Sequence, residues 1–433
     1  MRTVFIQTIE NPTLLKKQLL QWSQQFRELV FLDSNETHNS YSTYDCILAV
    51  DAFTAIQTDF LNAFEDLNIY QKTTKDWLFG YLSYDLKNDT EKLISANKDR
   101  LHFPDLYFFQ PKKIIFLKEN QLEFHYLNMC DDEMESDYQE IIHFQLENQE
   151  IKTEVSIQQE ISKSDYLQKV TKMLAYIQNG TIYEANFCME FFAKETIINP
   201  LATFESLNKI SKAPFSSFFK NNKHFALSAS PERYLKKTGE KCISQPIKGT
   251  SKRFADKEED ELSKFNLAND PKERAENIMI VDLVRNDLSK TAQKESVIVE
   301  ELCEIYSFLQ VHQMISTITS LIKPEFSPVD VLKTTFPMGS MTGAPKISAM
   351  NCIEELEETK RGLYSGAIGY FTPENDFDFN VVIRSILYNE LEKYVSFSVG
   401  SAITSKSAPE KEYEECLLKA RAMRLVLNDK ELL

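Results

Sequence analysis

Apolar residues recur at helical spacing through "NPTLLKKQLLQWSQQF", residues 11–26, and the pattern predicts an amphipathic helix. "YDCILAVDAF" is almost continuously apolar and reads as a buried strand. "DWLFGYLSYDLKN" is aromatic and strand-like, and the charged stretch Asn88 to Arg100 follows it. "KKIIFLKENQLEFHYL" predicts a hairpin that turns at Glu119 and Asn120. From about Met129 to Ser164 the chain becomes polar and acidic, and the latter part of that stretch is expected to connect a region 1–150 to a region 160–430. Ser164 or Asp165 is then expected to cap a helix over "YLQKVTKMLAYIQNG", which Gly180 ends. There is no internal repeat and no low-complexity segment.

Two further segments join a helical pattern to charge on one face. In "NDPKERAENIMIVDLVRNDLSK", Asp270 and Pro271 make a helix start, and Glu273 and Glu276 share a face beyond it. In "SAPEKEYEECLLKARAMRLVL", Glu412, Glu415 and Lys419 form a second stripe. Either stripe alone fits a solvated surface. Brought together, the two carboxylate pairs make an oxygen-rich site for a hard cation, and Mg²⁺ suits it best, being held by one or two carboxylates with water and substrate oxygens.

Other pieces leave more than one reading open. "FPMGSMTGAPKISAMNCIEELEE" lacks the spacing of a phosphate-binding loop, but it offers Gly339, Gly343 and Pro345 at an expected first helical position, where free N–H groups suit an anion. "FNVVIRSILY" sets Arg384 in an apolar run, where a guanidinium either binds a carboxylate bidentately or closes an internal ion pair. His312 in "FLQVHQMIS" fits a satisfied core histidine as well as a catalytic one. In "QPIKGTSKR", Lys248 follows Pro246 and Ile247 and precedes Gly249; it is a surface lysine beside a turn or an amine at the lip of a pocket.

Composition narrows the field. The chain has 433 residues, enough for two or three domains or one large α/β unit with an appended half. Only ten residues are glycine, and seven of them lie from Gly249 to Gly400, which points to a site in the C-terminal portion. A net charge of −16 argues against nucleic acid as the main partner, and an anionic substrate then needs local positive charge or a metal. The seven cysteines are scattered without a C-x-x-C, which fits a reducing compartment. The start lacks an apolar segment of signal-peptide length, and no apolar run reaches membrane-spanning length. A soluble, cytoplasmic protein is expected.

Taken in order, "SASPERYL", "QPIKGT", "ERAENIMIVDLVRNDLSK", "VHQMIS", "FPMGSMTGAPK", "RGLYSGAIGYF", "VVIRS" and "EKEYEECLLKARA" resemble the chorismate-utilising family: anthranilate synthase component I, aminodeoxychorismate synthase component I, and the isochorismate and salicylate synthases. The resemblance spans roughly Ser164 to Asn428, and "FLDSN" and "YSTYD" extend it into the first third. It implies an α+β fold of two antiparallel β-sheets packed as a sandwich with helices outside.

Within the family the residue after Pro-Ile separates subclasses, and Lys248 implies amination of chorismate at C4, with Mg²⁺ and with ammonia from a glutamine amidotransferase partner. By the same resemblance Glu232 is the general acid on the C4 hydroxyl, and Lys248 attacks C2 as a neutral amine, which requires that it lose its proton readily. Glu276 and Glu415 resemble the Mg²⁺ ligands, with Glu273 and Glu412 in support. Arg384 and Tyr364 resemble contacts to the enolpyruvyl carboxylate, Gly400 a backbone donor, Lys419 a group at the metal end, and His312 and Ser340 ring-side contacts. Ser340 replaces a usual threonine, and "GSA" from Gly400 departs from a more glycine-rich turn.

Ser34, Tyr41, Ser42, Thr43 and Tyr44, with Pro214, Phe215 and Ser216, resemble a tryptophan pocket between the two halves. Rival readings are an anthranilate synthase component, an isochorismate or salicylate synthase, and a catalytically silent chorismate-binding subunit. No glutaminase motif and no lyase module for releasing pyruvate are recognisable, so the product is expected to stop at aminodeoxychorismate.

Overall fold

Two thirteen-residue strands, Cys46–Thr58 and Leu106–Lys118, run antiparallel along their full lengths, from Cys46 opposite Leu117 to Thr58 opposite Leu106. They form the spine of the computed structural model, which describes residues 1–37, 40–91, 93–147, 154–309 and 311–428. Two runs of strands grow from this pair, and every strand pairing in them is antiparallel.

The first run continues from Leu106–Lys118 to Gln121–Leu127 and Arg2–Thr8. The predicted hairpin is thus present, with Glu119 at φ 53° in its turn. On the other side it passes from Cys46–Thr58 through Glu28–Asp33, Phe215–Asn221, His224–Ser230, Ser385–Asn389 and Tyr394–Thr404 to Glu184–Ala193. The second run uses the opening half of Leu106–Lys118 and passes through Leu78–Leu82, Ala367–Phe371, Phe377–Asn380, Arg233–Thr238 and Lys241–Gln245 to Val311–Leu321. Ile247–Lys252 and Ile298–Ser307 flank that last strand.

Alternation along the strands divides the core in two. Val30, Ile47, Ala49, Ile114, Phe116, Phe219 and Leu387 face the second run and pack with Phe79, Tyr81, Phe108, Leu235, Ile318, Ile368 and Phe379. Their neighbours Leu29, Phe31, Leu48, Val50, Ile115, Leu117, Phe218 and Ile386 face the other way. That second layer is covered by helices Pro12–Trp22, Lys163–Gln178, Pro200–Ser211 and Pro409–Val426. The fold is α+β, two antiparallel sheets packed face to face with helices outside.

Three sequence expectations shift. The helix after the acidic stretch begins at Lys163, because the Ser162 hydroxyl accepts from the Asp165 N–H at 3.1 Å and donates to the Asp165 carboxylate at 2.7 Å. Pro345 stands one position ahead of helix Lys346–Leu356, as its cap residue. The acidic stretch holds a helix of its own, Met134–Ile142, while residues 148–153 of the expected connection lie outside the described residues. Strands from 1–150 pair directly with strands from 160–430, so the two regions share sheets and core.

Candidate active site

Strand Ile247–Lys252 pairs with Val311–Leu321 at Ile247 opposite Ile315 and at Thr250 opposite Gln313. Lys248 and Gly249 therefore stand against Met314 alone, and the strand bulges. Gly249 takes φ +94°, a conformation that glycine adopts without penalty. The Asn277 side chain, on helix Pro271–Ser289, reaches the carbonyls of Lys248 at 3.5 Å and Met314 at 3.3 Å. The bulge thus lies against that helix: a Cβ on Gly249 would sit 3.1 Å from Glu273 Oε2. Lys248 is an interior amine, its side chain 12% exposed, with Nζ 3.2 Å from Glu184 Oε1.

Carboxylates dominate its surroundings. Burial opposes the charge of Lys248, but the charges of Glu184 and Glu276, the Glu184 hydrogen bond and the Glu232 charge together hold its proton above the ordinary lysine range. The expectation of a lysine that readily loses its proton is thereby corrected: among these neighbours the ammonium is favoured. Glu232 follows Pro231 in the link between strands His224–Ser230 and Arg233–Thr238, with its carbonyl bound by the Val381 N–H at 3.0 Å. Burial pushes its carboxyl up to about 7, against a Ser340 hydrogen bond and the Lys248 charge. Ser340 lies in the turn Gly339–Met341, so acid, amine and hydroxyl converge from three separate segments.

The two predicted acidic stripes face each other across Lys272. Its Nζ is 3.7 Å from Glu276 Oε1 and 3.6 Å from Glu412 Oε1, bridging helices Pro271–Ser289 and Pro409–Val426. Asp270 caps the first helix, accepting from the N–H groups of Lys272 and Glu273 at 2.8 and 3.1 Å. Burial raises Glu276 to about 7 and raises Glu273 as well. Glu276 Oε1 and Glu412 Oε2 are buried and make no hydrogen bond among the described residues. Burial pushes Glu415 up, but its pair with Lys419 at 2.6 Å and the charges of Lys272 and Lys248 together hold it low. Among the described residues no three Asp, Glu, His or Cys side chains form a ready-made metal cage. Mg²⁺ does not need one, since it completes its shell with water and substrate oxygens.

The remaining predicted residues divide. Arg384 takes φ +53° and has no ion pair among the described residues; burial lowers its pKa. That removes the internal ion pair as an account of it. Tyr364 is buried and receives a weak contact from the Cys188 thiol at 3.8 Å. Gly400 lies in mid-strand opposite Cys188, where a Cβ would meet Cys188 Sγ at 2.6 Å, and its carbonyl accepts from Lys419 at 2.8 Å. His312 is buried with both ring nitrogens engaged, Nε2 with Asp260 at 3.1 Å and Nδ1 with Ser307 at 2.8 Å.

A separate cavity of about 650 Å³, including its open mouth, is lined by Ser34, Ser42, Thr43, Tyr44, Pro214, Phe215 and Ser216, with Arg233 and Asp378 on its wall. Tyr41 instead meets Glu300 and Lys241, and its carbonyl receives Lys236 Nζ at 2.7 Å.

Sequence reasoning missed Glu184, Lys272, Asn277, Asp260 and Arg361. Arg361 is buried, pairs with Glu357, and donates to the carbonyls of Met341 and Asn186, each at 2.7 Å. It ties the Ser340 turn to the strand that begins at Glu184. No local pattern marks Glu184 or Asp260, whereas Arg361 opens "RGLYSGAIGYF", Asn277 lies in "ERAENIMIVDLVRNDLSK" and Lys272 follows a helix-starting proline.

Comparison with known proteins gives this arrangement a family. The sequence profile of the chorismate binding enzymes matches residues 20–425, and the chain belongs to that family. It is 35% identical over 365 residues to the chloroplastic aminodeoxychorismate synthase of Arabidopsis thaliana, covering 79% of this chain and 39% of that protein. It is 38% identical over 255 residues to aminodeoxychorismate synthase component 1 of Klebsiella aerogenes, covering 59% and 56%. The chain thus spans well under two thirds of either relative. The crystal structure of anthranilate synthase component I from Streptococcus pneumoniae TIGR4 superposes with a TM-score of 0.78 at 23% identity, over 89% of this chain and 93% of that one.

Proposed function

We propose that this chain aminates chorismate at C4, using ammonia supplied by a separate glutamine amidotransferase, and releases 4-amino-4-deoxychorismate, the step that leads to p-aminobenzoate and folate. The observation that carries this reading is an interior lysine at position 248, its Nζ 3.2 Å from Glu184 and its charge acting on Glu232, an acid that keeps its proton to about pH 7. Arg384, which lacks an ion pair among the described residues, is suited to the enolpyruvyl carboxylate, with Tyr364 as a second contact. Lys419 stands at the ring-carboxylate end.

Glu276 and Glu415 would hold Mg²⁺, with Glu273 and Glu412 in support. The buried, unbonded oxygens of Glu276 and Glu412 fit a cation, and Lys272 spans them only at long ion-pair distances. When bound, Mg²⁺ supplies positive charge to the ring carboxylate of a substrate that an acidic protein otherwise repels.

These residues support the following chemistry. The Lys248 amine attacks C2, electron pairs move round the ring, and the C4–O bond breaks as Glu232 protonates the departing oxygen. Ammonia then adds at C4, the electron pairs return, and the amine is released. An alanine at 248 would leave C2 open to ammonia and favour anthranilate. The seven cysteines are all buried thiols, which supports work in the reducing cytoplasm. No helix of the described residues is long and apolar enough to cross a membrane.

Mass spectrometry of the product from chorismate, ammonium and Mg²⁺ tests the reading with wild type and Lys248→Ala side by side. Wild type is expected to give the 4-amino product and the variant to lose it. Equal C4 amination by both would remove the covalent role of Lys248.

A further inference from the structure

Glu184 opens strand Glu184–Ala193 and was singled out by no motif. Its backbone is held on both sides, opposite Ala344 and opposite Thr404. Its side chain is 1% exposed, with Oε1 on the Lys248 ammonium at 3.2 Å and Oε2 buried without a hydrogen-bond partner among the described residues. Among the described residues no other carboxylate lies within 4.0 Å of Lys248 Nζ. The other charged groups around the amine are committed elsewhere. Glu232 must keep its proton for the leaving oxygen, and Glu276 belongs with Lys272 and Glu412 at the cation end. Glu273 and Glu415 act on Lys248 only through space, and Lys419 is taken by Glu415 and the Gly400 carbonyl.

A nucleophile that rests as an ammonium needs somewhere to put a proton before it can attack. We infer that Glu184 is that acceptor: it takes the proton from Lys248 as the amine attacks C2 and gives it back when the amine leaves. The inference rests on the C4-amination reading above. The N–H bond breaks with its electron pair left on Nζ, and an O–H bond forms on the Glu184 carboxylate. The lone pair makes the Nζ–C2 bond, ring electron pairs shift, and the C4 oxygen leaves as water with the Glu232 proton. Ammonia then forms its bond to C4 and the electron pairs shift back. The C2–Nζ pair returns to nitrogen, which recovers its proton from Glu184, and the new C4 ammonium reprotonates Glu232. The sum is chorismate plus ammonia giving the amino product plus water. The unbonded Oε2 gives Glu184 a second acceptor for the incoming proton while Oε1 stays on the amine.

Glu184→Gln keeps the shape and removes the charge, and two readouts on it separate proton transfer from packing. Turnover with ammonium is expected to fall about 100-fold or more, the range for losing a general base. Acetic anhydride labelling of Lys248 near pH 9, in enzyme free of substrate and metal, is expected to rise several-fold, because the charge that retains the ammonium proton is gone. A residue that only packs would not make the lysine more reactive while making the enzyme slower. Glu184→Asp, which keeps the charge, is expected to recover at least tenfold of the lost rate. Turnover of Glu184→Gln within threefold of wild type, or unchanged labelling, would overturn the inference. Should Glu184→Gln fail to fold, wild type carries the test: half-labelling of Lys248 at a higher pH than exposed lysines supports the pair, and at a lower pH refutes it. A wild type that yields no 4-amino product overturns the function and the transfer with it, and the labelling contrast, which needs no substrate, tells that failure from failure of the pair.

Discussion

Glu232 binds its proton more tightly in the fold than in the unfolded chain, since burial moves it from 4.5 to about 7 while Ser340, Lys248 and Lys419 pull the other way. The stability it lends is therefore fully present below about pH 4.5 and is lost as pH rises through about 7. Above that, a buried carboxylate costs the fold free energy. Glu232→Gln is accordingly expected to raise stability at pH 8 by about 1–3 kcal/mol and to leave it unchanged near pH 4, read by urea denaturation at both values. The same variant is expected to lose about 10²–10⁴-fold in turnover, and wild-type turnover to decline as pH climbs past about 7, because in the proposed reaction the acid form is the one that donates. A Glu232→Gln protein no more stable than wild type at pH 8 would contradict the buried acid. Residues of this kind were unequally legible. Lys248 sits between Pro246 and Gly249, where the residue types mark a special backbone, whereas Glu232 was legible only through the family resemblance of "SASPERYL". Glu184 sits in "TIYEANFC", an ordinary strand opening, and its partner comes from a distant bulge that only the tertiary pairing brings near.

At the scale of elements, the active groups depend on close backbone approaches that a side chain would block. Gly343 is the tightest of these at the site: an added Cβ would lie 2.2 Å from the Glu184 carbonyl oxygen and 2.8 Å from Ala185 Cα, and backbone cannot yield as a side-chain tip can. Gly343→Ala is expected to cost about 2–4 kcal/mol and to lower turnover by moving Glu184, whereas Gly180→Ala, with open space around it and φ +76°, is expected to cost only about 1 kcal/mol. Thermal unfolding of the two side by side checks the contrast. The helices bearing Glu276 and Glu412 make a second case. A cation that joins them binds the folded state alone, so added Mg²⁺ is expected to raise the melting temperature of wild type with no substrate present, and Glu276→Ala to abolish that rise. The shift is the readout, because removing a buried acid alters the baseline melting temperature by itself. These two helices were readable from Asp270-Pro271 and from apolar periodicity. Helix Lys257–Asn269 was not anticipated, although Asp256 caps the Glu258 and Glu259 N–H groups at 3.0 Å, and it brings Asp260 to His312. Its stretch is so charged that no apolar face stands out.

For the whole molecule, the polar stretch before residue 160 suggested a divide that the sheets do not respect. Alternating patterns tell which face of a strand is buried but not which strand lies beside it. Leu78–Leu82 lies against Ala367–Phe371 with Gly80 opposite Gly369, and Glu28–Asp33 lies against Phe215–Asn221. Both pairings join segments far apart in the chain, and neither leaves a local trace. A consequence is that residues 160–433 expressed alone would lose Val30, Phe79, Tyr81 and Phe108 from the layer between the sheets. They would also expose the edges of Phe215–Asn221 and Ala367–Phe371, open to pairing with another chain. That fragment is expected to aggregate and to show no cooperative unfolding. Co-expression with residues 1–150 as a separate chain is expected to return a soluble complex that melts in one transition, since the missing strands can be supplied in trans. Size-exclusion chromatography and calorimetry of the two preparations decide it. A monomeric 160–433 fragment that unfolds cooperatively and still binds chorismate would mean that the shared sheets are not what holds Lys248, Glu232 and Glu184 in place.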